Sequence, residues 1–112
     1  MHKFDHSCEI LSNRLYFKKS QKVFNLADII MLQADVNYTI FYLKNGKRYV
    51  TARSLKLYES LLETYGFIRT HRAFLINRLH VQEYGINSGT ALMSENMTAP
   101  ISRRKMKIVK TK

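Results

Sequence analysis

Short apolar runs separated by polar turns make up most of the chain, and they predict a protein built mainly from β-strands. Residues 14–26 (RLYFKKSQKVFNL) place two such runs on either side of a polar stretch, which is typical of a β-hairpin. A second hairpin is predicted at residues 38–52, because Asn45 and Gly46 tolerate the positive φ angles of a tight turn. Between these hairpins, residues 29–32 (IIML) are apolar throughout, as in a strand that is buried on both faces.

One segment, residues 54–66 (SLKLYESLLETYG), has the spacing of an amphipathic α-helix. Ser54 is a favourable N-cap, and Gly66 stands where a glycine commonly ends a helix. The apolar residues of the predicted stripe are Leu55, Tyr58, Leu61, Leu62 and Tyr65. We therefore predict the main helix of the fold here.

Strand signals return in residues 67–101, where the sequence Asn-Ser-Gly at 87–89 predicts a turn. Ser102 is placed to begin a short helix in the basic tail. Residues 1–12 have mixed polarity without a clear period, and we leave them unassigned. No repeat or linker divides the remainder, so residues 13–112 are predicted to form one β-rich domain with one main helix.

Basic residues far outnumber acidic ones: the 112 residues include 19 Lys and Arg against 8 Asp and Glu, for a net charge of +11. A compact domain with this charge attracts a polyanion, first nucleic acid and second an anionic membrane. The single Cys8 excludes an internal disulfide and a zinc site with two cysteines. Because no apolar run reaches the roughly 18 residues of a membrane span and the start lacks a signal peptide, we expect a cytoplasmic protein.

The basic residues concentrate in the last ten positions and in residues 67–72 (FIRTHR). In an extended strand, Arg69 and His71 project to one face while Arg72 projects to the other. Because unpaired cations are costly to bury, this strand is predicted to leave the core at its end. The cations then face either a polyanion or surface acids, of which the candidates are Glu59, Glu63 and Glu83.

Three ordered motifs resemble the LytTR-type DNA-binding domain of bacterial transcription regulators. Residues 27–62 are similar to the family's opening strands, hairpin and helix. Residues 67–84 (FIRTHRAFLINRLHVQEY) resemble its most characteristic stretch, and residues 100–107 (PISRRKMK) resemble its closing motif. The resemblance covers residues 13–110, nearly the whole chain, and the order of the motifs makes it specific.

The resemblance implies an elongated arrangement of small antiparallel β-sheets, with one main helix and a short C-terminal helix. It also implies a sequence-specific regulator of transcription that reads repeated sites in double-stranded DNA through loops and strand ends. A homodimer on promoter repeats is expected. A receiver or membrane domain often accompanies this module in the family, although this chain shows neither. No cofactor, metal or small-molecule substrate is implied.

By resemblance, three segments of this chain contact DNA: the loop at residues 35–39, the turn at residues 71–72, and the segment at residues 102–105. The expected base contacts are Arg103, Asn37, Tyr38 and Thr39. The expected contacts to the DNA backbone or minor groove are Arg69, His71, Arg72, Arg104 and Lys105.

The chemistry of the side chains ranks these contacts. Arg103 carries a fork of donors that pairs with guanine O6 and N7, so it is the first choice for base readout. Asn37 either pairs with adenine or satisfies its own turn. His71 either contacts a phosphate or braces its loop, and Asn77 is interpreted as structural, with its amide tied to loop backbone.

Two other classes of function compete with this interpretation. An enzyme would need a convergent site, and His2, His6 and Cys8 have a suggestive spacing but lie outside the resemblance, so no enzyme is expected. A non-specific RNA- or single-strand-binding β-domain is the stronger alternative, because aromatic residues among cations either stack on bases or form the core. These aromatic residues are Tyr16, Phe17, Phe41, Tyr42 and Tyr49.

Overall fold

The computed structural model describes residues 8–85 and 87–110, and within them the chain forms eleven strands and two α-helices. The strands are β1 (Cys8–Leu11), β2 (Arg14–Phe17), β3 (Lys22–Asn25), β4 (Ile29–Asp35), β5 (Tyr38–Leu43), β6 (Arg48–Thr51), β7 (Phe67–His71), β8 (Phe74–Asn77), β9 (Val81–Gly85), β10 (Thr90–Met93) and β11 (Thr98–Pro100). The helices are α1 (Leu55–Leu62) and α2 (Arg103–Lys110).

The strands form three antiparallel sheets, in the orders β1-β2-β3, β6-β5-β4-β8-β7 and β11-β10-β9. The molecule is elongated, with extents of 44 × 29 × 24 Å. The predicted fold class is therefore confirmed: small antiparallel sheets with one main helix and a short C-terminal helix.

The five-stranded sheet is the middle layer, and both of its faces are buried. β4 lies at its centre, and its apolar run, residues 29–32, is buried throughout, as predicted. Leu32 and Leu75 belong to the hydrophobic cluster on one face, whereas Ile30 and Ile76 belong to the cluster on the other. Since both faces are covered, this sheet presents itself to solvent mainly through the ends of its strands.

One face of the central sheet is covered by β1–β3 together with α1. Phe17 of β2 packs edge-on against Phe41 of β5 with 5.6 Å between ring centroids, and Tyr58 of α1 packs against Phe41 at 4.9 Å. All three rings are buried, so they stabilise the core and are withdrawn from any stacking surface. Burial raises the pKa of Tyr58 to about 12, against the opposing effect of its hydrogen bond with Thr51.

The other face is covered by β9–β11 and α2. Met93, Ala99 and Val109 pack against Ile30 and Ile76 in a second buried cluster. The two helices therefore lie on opposite faces of the same sheet, which makes the domain a three-layer structure.

The main helix lies where its N-cap and its terminal glycine predicted it. The Ser54 hydroxyl caps α1 by accepting from the Leu57 N–H at 3.3 Å. Gly66 has the left-handed φ of 91° that a glycine cap provides. The α-helix itself is shorter than predicted, since it ends at Leu62 and continues as a single 3-10 turn at Glu63–Tyr65.

In the first half of the chain, one turn was predicted correctly and one strand was missed. The turn at Asn45 and Gly46 is confirmed, with φ angles of 67° and 73°. However, Cys8–Leu11 forms β1 and pairs with β2, although residues 1–12 were left unassigned. Residues 1–7 of that segment lie outside the described residues.

Asn77 at the end of β8 is buried and ties two chain connections together. Its Nδ2 donates to the carbonyls of Leu26 and Ile29, at 3.1 and 2.8 Å. Its Oδ1 accepts from the Leu79 N–H at 3.1 Å. The amide therefore holds the β3–β4 connection against the start of the β8–β9 connection, which confirms the structural interpretation of this residue.

We expect Asn77→Ala to lower the free energy of unfolding by about 1–3 kcal/mol, because it leaves buried backbone groups without partners. Urea unfolding should show a lower midpoint with an unchanged slope. Asn25→Ala is the matched control, since Asn25 is exposed and its side chain makes no capping bond. A midpoint shift no larger than that of the control would contradict the role of Asn77.

Candidate nucleic-acid interface

Three polar segments meet at one end of the central sheet. β4 and β5 reverse direction there, in the β4–β5 turn (35–38). The β7–β8 turn lies beside it, because the Ala34 N–H donates to the Ala73 carbonyl at 2.8 Å. α2 begins next to β7, where the Ser102 N–H donates to the Thr70 carbonyl at 2.8 Å. The structure thus brings together the three segments that were expected to contact DNA.

All four residues of the β4–β5 turn are exposed to solvent. Val36 is 91% exposed, and Asn37 and Tyr38 are also exposed. Val36 has a φ of 54°, which is unusual for a β-branched residue, and nothing in the local sequence indicated it. Asn37 and Tyr38 are therefore accessible to a partner from a turn whose backbone conformation is held by strand pairing on both sides.

Thr39 differs from its neighbours because its side chain points into the protein. It is fully buried, and its hydroxyl donates to the Arg53 carbonyl at 2.6 Å. The expected base contact from Thr39 is therefore corrected: the residue anchors the segment that leads into α1 against the start of β5.

Arg69 is also engaged within the protein. Its Nη1 donates to Glu59 Oε1 of α1 at 2.6 Å, and its side chain is 19% exposed. Its Nε donates to the His71 carbonyl at 3.0 Å, and its Nη2 donates to the Arg72 carbonyl at 2.5 Å. Of the three acids that the sequence offered as partners, Glu59 is the one in contact. This geometry makes Arg69 a brace for the β7–β8 turn.

His71 braces the same turn through one nitrogen. Its Nδ1 accepts from the Ala73 N–H at 3.0 Å, and its ring packs edge-on against Phe74 with 5.9 Å between centroids. In this arrangement Nδ1 carries no proton, so the neutral ring carries its proton on Nε2. The half-buried ring thus braces its loop through Nδ1, which is one of the two roles considered from the sequence, and the contact with a phosphate stays a prediction.

The start of α2 places two arginines in solvent. The Ser102 hydroxyl accepts from the Lys105 N–H at 3.3 Å, and its carbonyl accepts from the Met106 N–H at 3.0 Å, as predicted for a helix start. Arg103 and Arg104 are exposed in the first turn. The helix dipole does not favour cations there, so neither arginine gains stability from its position in the helix.

A groove of about 380 Å³ runs between the β7–β8 turn and α2. Its basic rim includes Arg72, Arg104 and Lys105, and Ser102 lies between the two elements. Across the described parts of the chain, no carboxylate is within ion-pair distance of Arg72, Arg104 or Lys105. The groove is therefore a site of uncompensated positive charge, suited to an anion.

Of the three residues with a suggestive spacing for a metal or nucleophile site, Cys8 is the one that the structure describes. Cys8 is buried, and burial raises the pKa of its thiol, which disfavours the nucleophilic thiolate. His2 and His6 lie outside the described residues. Among residues 8–85 and 87–110, no cluster of three His, Cys, Asp or Glu side chains is arranged to hold a metal ion. Over the same residues, no helix combines the length and apolar character required to cross a membrane.

Comparison with known proteins identifies the family. A family model described as the LytTr DNA-binding domain matches residues 19–112. A solved structure with a similar fold is the LytTr DNA-binding domain of a protein described as a methyl-accepting/DNA response regulator from Bacillus cereus. It has a TM-score of 0.71 and 20% sequence identity, over 93% of this chain and 92% of that chain. Comparison with curated protein sequences gave no match.

The fold and the match over most of the chain define a DNA-binding domain of transcription regulators. The chain belongs to the LytTR family.

We expect Arg69→Gln to lower the free energy of unfolding by about 1.5–3 kcal/mol, because it removes charge-assisted bonds from a half-buried pair. Arg72→Gln is the matched control, because the Arg72 side chain is exposed and should change stability by no more than about 0.5 kcal/mol. Urea unfolding of both variants measures the difference. Equal midpoints for the two variants would remove the bracing role from Arg69.

Proposed function

We propose that this domain is a sequence-specific, double-stranded DNA-binding regulator of transcription that reads repeated sites through loops and strand ends. The observation that carries the proposal is the convergence of three exposed polar segments at one end of the central sheet. They are the β4–β5 turn, the β7–β8 turn and the start of α2. Two copies of the domain would occupy one repeated site, in the cytoplasm where bacterial DNA lies.

The exposed residues divide into two roles. Arg103 is the principal base reader, since its guanidinium forms two parallel bonds with guanine and it stands in solvent at the start of α2. Asn37 and Tyr38 contact base edges from the β4–β5 turn. All three side chains are exposed in the absence of DNA, which is the condition that a base contact requires.

Phosphate contacts position the domain without specifying the sequence. Arg72, Arg104 and Lys105 supply the charge around the groove, and His71 supplies a directed donor through Nε2. Arg69 acts indirectly. Its side chain holds the carbonyls of His71 and Arg72 and thereby fixes where the β7–β8 turn meets the DNA backbone. We therefore assign Arg69 a positioning role in place of the expected direct contact.

Burial of the aromatic residues favours duplex DNA over single strands. A single-strand-binding surface needs several exposed rings on which successive bases stack. Here Phe17 and Phe41 are buried, and Tyr49 is half-buried with its ring 4.9 Å from that of Phe17. Competition between a duplex and each of its separate strands at equal salt tests this choice, and a preference for the single strands would overturn it.

Selection of binding sites from random duplex DNA is the experiment that tests the proposal. We expect an enriched motif that occurs as a repeat, and we expect Arg103→Ala to relax one position of it. The loss on the selected sequence should be about 1–3 kcal/mol, while binding to unrelated duplexes changes much less. Arg14→Ala is the control, because Arg14 is exposed at the start of β2, away from the three segments.

Two results would contradict this proposal. If no motif is enriched although binding depends on salt, the domain binds nucleic acid without reading sequence. If Arg103→Ala weakens every duplex equally, Arg103 contacts phosphate instead of a base.

We expect Arg72→Gln to weaken binding to all duplexes and to reduce the slope of log K against log salt by about 1, because one phosphate contact is lost. Titrations between low and physiological salt measure the slope. Arg103→Ala provides the contrast, since a lost base contact changes sequence preference more than the slope. An unchanged slope in Arg72→Gln would remove the phosphate contact from this residue.

A further inference from the structure

The turn between β2 and β3, residues 18–22, lies near the same end of the central sheet as the three segments described above. A groove of about 310 Å³ separates this turn from the end of β6, and it is lined by Lys19, Ser20, Ala52 and Arg53, among others. β6 ends beside the β4–β5 turn, since Thr51 pairs with Thr39 at the start of β5. The hairpin β2–β3 therefore directs its turn toward the candidate DNA-binding end.

The opposite end of the same hairpin provides the contrast. Arg14 and Asn25 line a separate groove together with Lys44 and Lys47, which belong to the β5–β6 turn and its flank. That turn lies at the far end of β5 from the β4–β5 turn. The chain thus carries two clusters of basic residues beside the first sheet, one near each end of the central sheet.

The turn is held in a defined position. The Ser20 hydroxyl and the Tyr49 hydroxyl lie 2.6 Å apart, which joins the turn to β6. Phe17, immediately before the turn, is buried in the core against Tyr49. Gln21 has a φ of 60°, so the chain reverses tightly. A cation carried on such a turn loses little backbone freedom when it meets a partner.

The turn also carries uncompensated charge. Lys18 lies 3.5 Å from Glu9, but both side chains are about half exposed, so the pair is weak. Lys19 and Lys22 are exposed, and across residues 8–85 and 87–110 no carboxylate lies within ion-pair distance of either. None of the three segments of the proposed interface includes this turn, so Lys19 and Lys22 have no role in the DNA contact as described above.

We propose that the β2–β3 turn is a fourth DNA-contacting element, in which Lys19 and Lys22 bind phosphates that flank the base pairs read by the β4–β5 turn. The turn belongs to the layer on one face of the central sheet, whereas α2 belongs to the layer on the other. Basic groups therefore stand on both faces of one sheet end, which suits a backbone that passes across it. This inference rests on the function proposed above.

Spacing in the sheet indicates how far the contact extends. Strands lie about 4.8 Å apart, so the end of the sheet from β6 to β7 spans about 19 Å, and a neighbouring layer adds about 10 Å. The turn lies in that neighbouring layer. At about 3.4 Å per base pair, its offset of about 10 Å corresponds to roughly three base pairs beyond the bases read from the sheet end. Phosphates contacted by Lys19 and Lys22 should therefore lie in sequence-independent flanking DNA.

The test is a thermodynamic cycle that compares the affinities of wild-type and variant protein for full-length and shortened duplexes. The DNA is one selected repeat with full flanks, or the same repeat shortened by about four base pairs on one side or the other. Wild-type protein should lose about eightfold in affinity at 0.1 M salt for each phosphate contact removed by shortening the correct flank. The double variant Lys19→Gln, Lys22→Gln lacks both proposed contacts, so it should bind the full duplex about 60-fold more weakly and should be indifferent to shortening.

Arg14→Gln with Lys47→Gln is the matched control, since it removes two exposed cations from the groove beside the opposite end of the hairpin. This control should respond to shortening as the wild type does. Thermal unfolding of both double variants checks that the fold is retained, as expected for exposed lysines and arginine.

The outcomes separate the two proposals. If wild type binds the repeat specifically but the turn variant loses as much as wild type on shortening, the fourth contact is wrong and the proposed function stands. The fourth contact is also wrong if the turn variant and the control bind the full duplex equally. If wild type shows no preference for the selected repeat, both proposals are wrong.

Discussion

Burial of β4 on both faces is the constraint on which the rest of the structure depends. Its run of four apolar residues, 29–32, draws one layer onto each face of the central sheet. Once both faces are covered at the centre, a partner reaches this sheet at the ends of its strands or along its edges. The turns at one such end carry exposed polar residues, and this is the physical basis of the proposed contact with DNA through loops. Each helix completes the core on its own face of the sheet, and α2 also begins beside β7 with Arg103 in its first turn.

The same architecture determines which basic side chains are paired within the protein and which are exposed. Arg69 meets Glu59 across the boundary between the sheet and α1, and its remaining bonds go to the carbonyls of the turn. One cation is thereby used to shape a loop, while Arg72 in that loop is left exposed. The two arginines are three residues apart in sequence but differ in chemical role, because one lies over a carboxylate and the other beyond the end of the strand. Net charge favoured a polyanionic partner, whereas local geometry determines which of the basic side chains are exposed to one.

The parts of the fold that depend on local chemistry were predictable from the sequence. The cap at Ser54, the glycine at the end of the main helix and the Asn45–Gly46 turn each result from preferences of single residues. β1 was missed because its four residues, CEIL, have no clear alternation and become a strand through pairing with β2. The orientation of Thr39 was missed for a related reason. Neighbouring residues of a strand face opposite ways, but the acceptor at Arg53, fourteen residues later, decides that Thr39 and not Tyr38 is inside.

Preorganisation links the core to the candidate interface. The β7–β8 turn is fixed by Arg69 and by His71 Nδ1, and the start of α2 is fixed to β7 through the Ser102 N–H. A loop that is already ordered gives up little conformational entropy when it binds, so more of its contact energy is available for affinity. In the proposed complex, long arginine side chains on ordered turns would combine two useful properties. The backbone would set the register on the phosphates, and the guanidinium of Arg103 would retain the freedom to find the base edge that matches its donors.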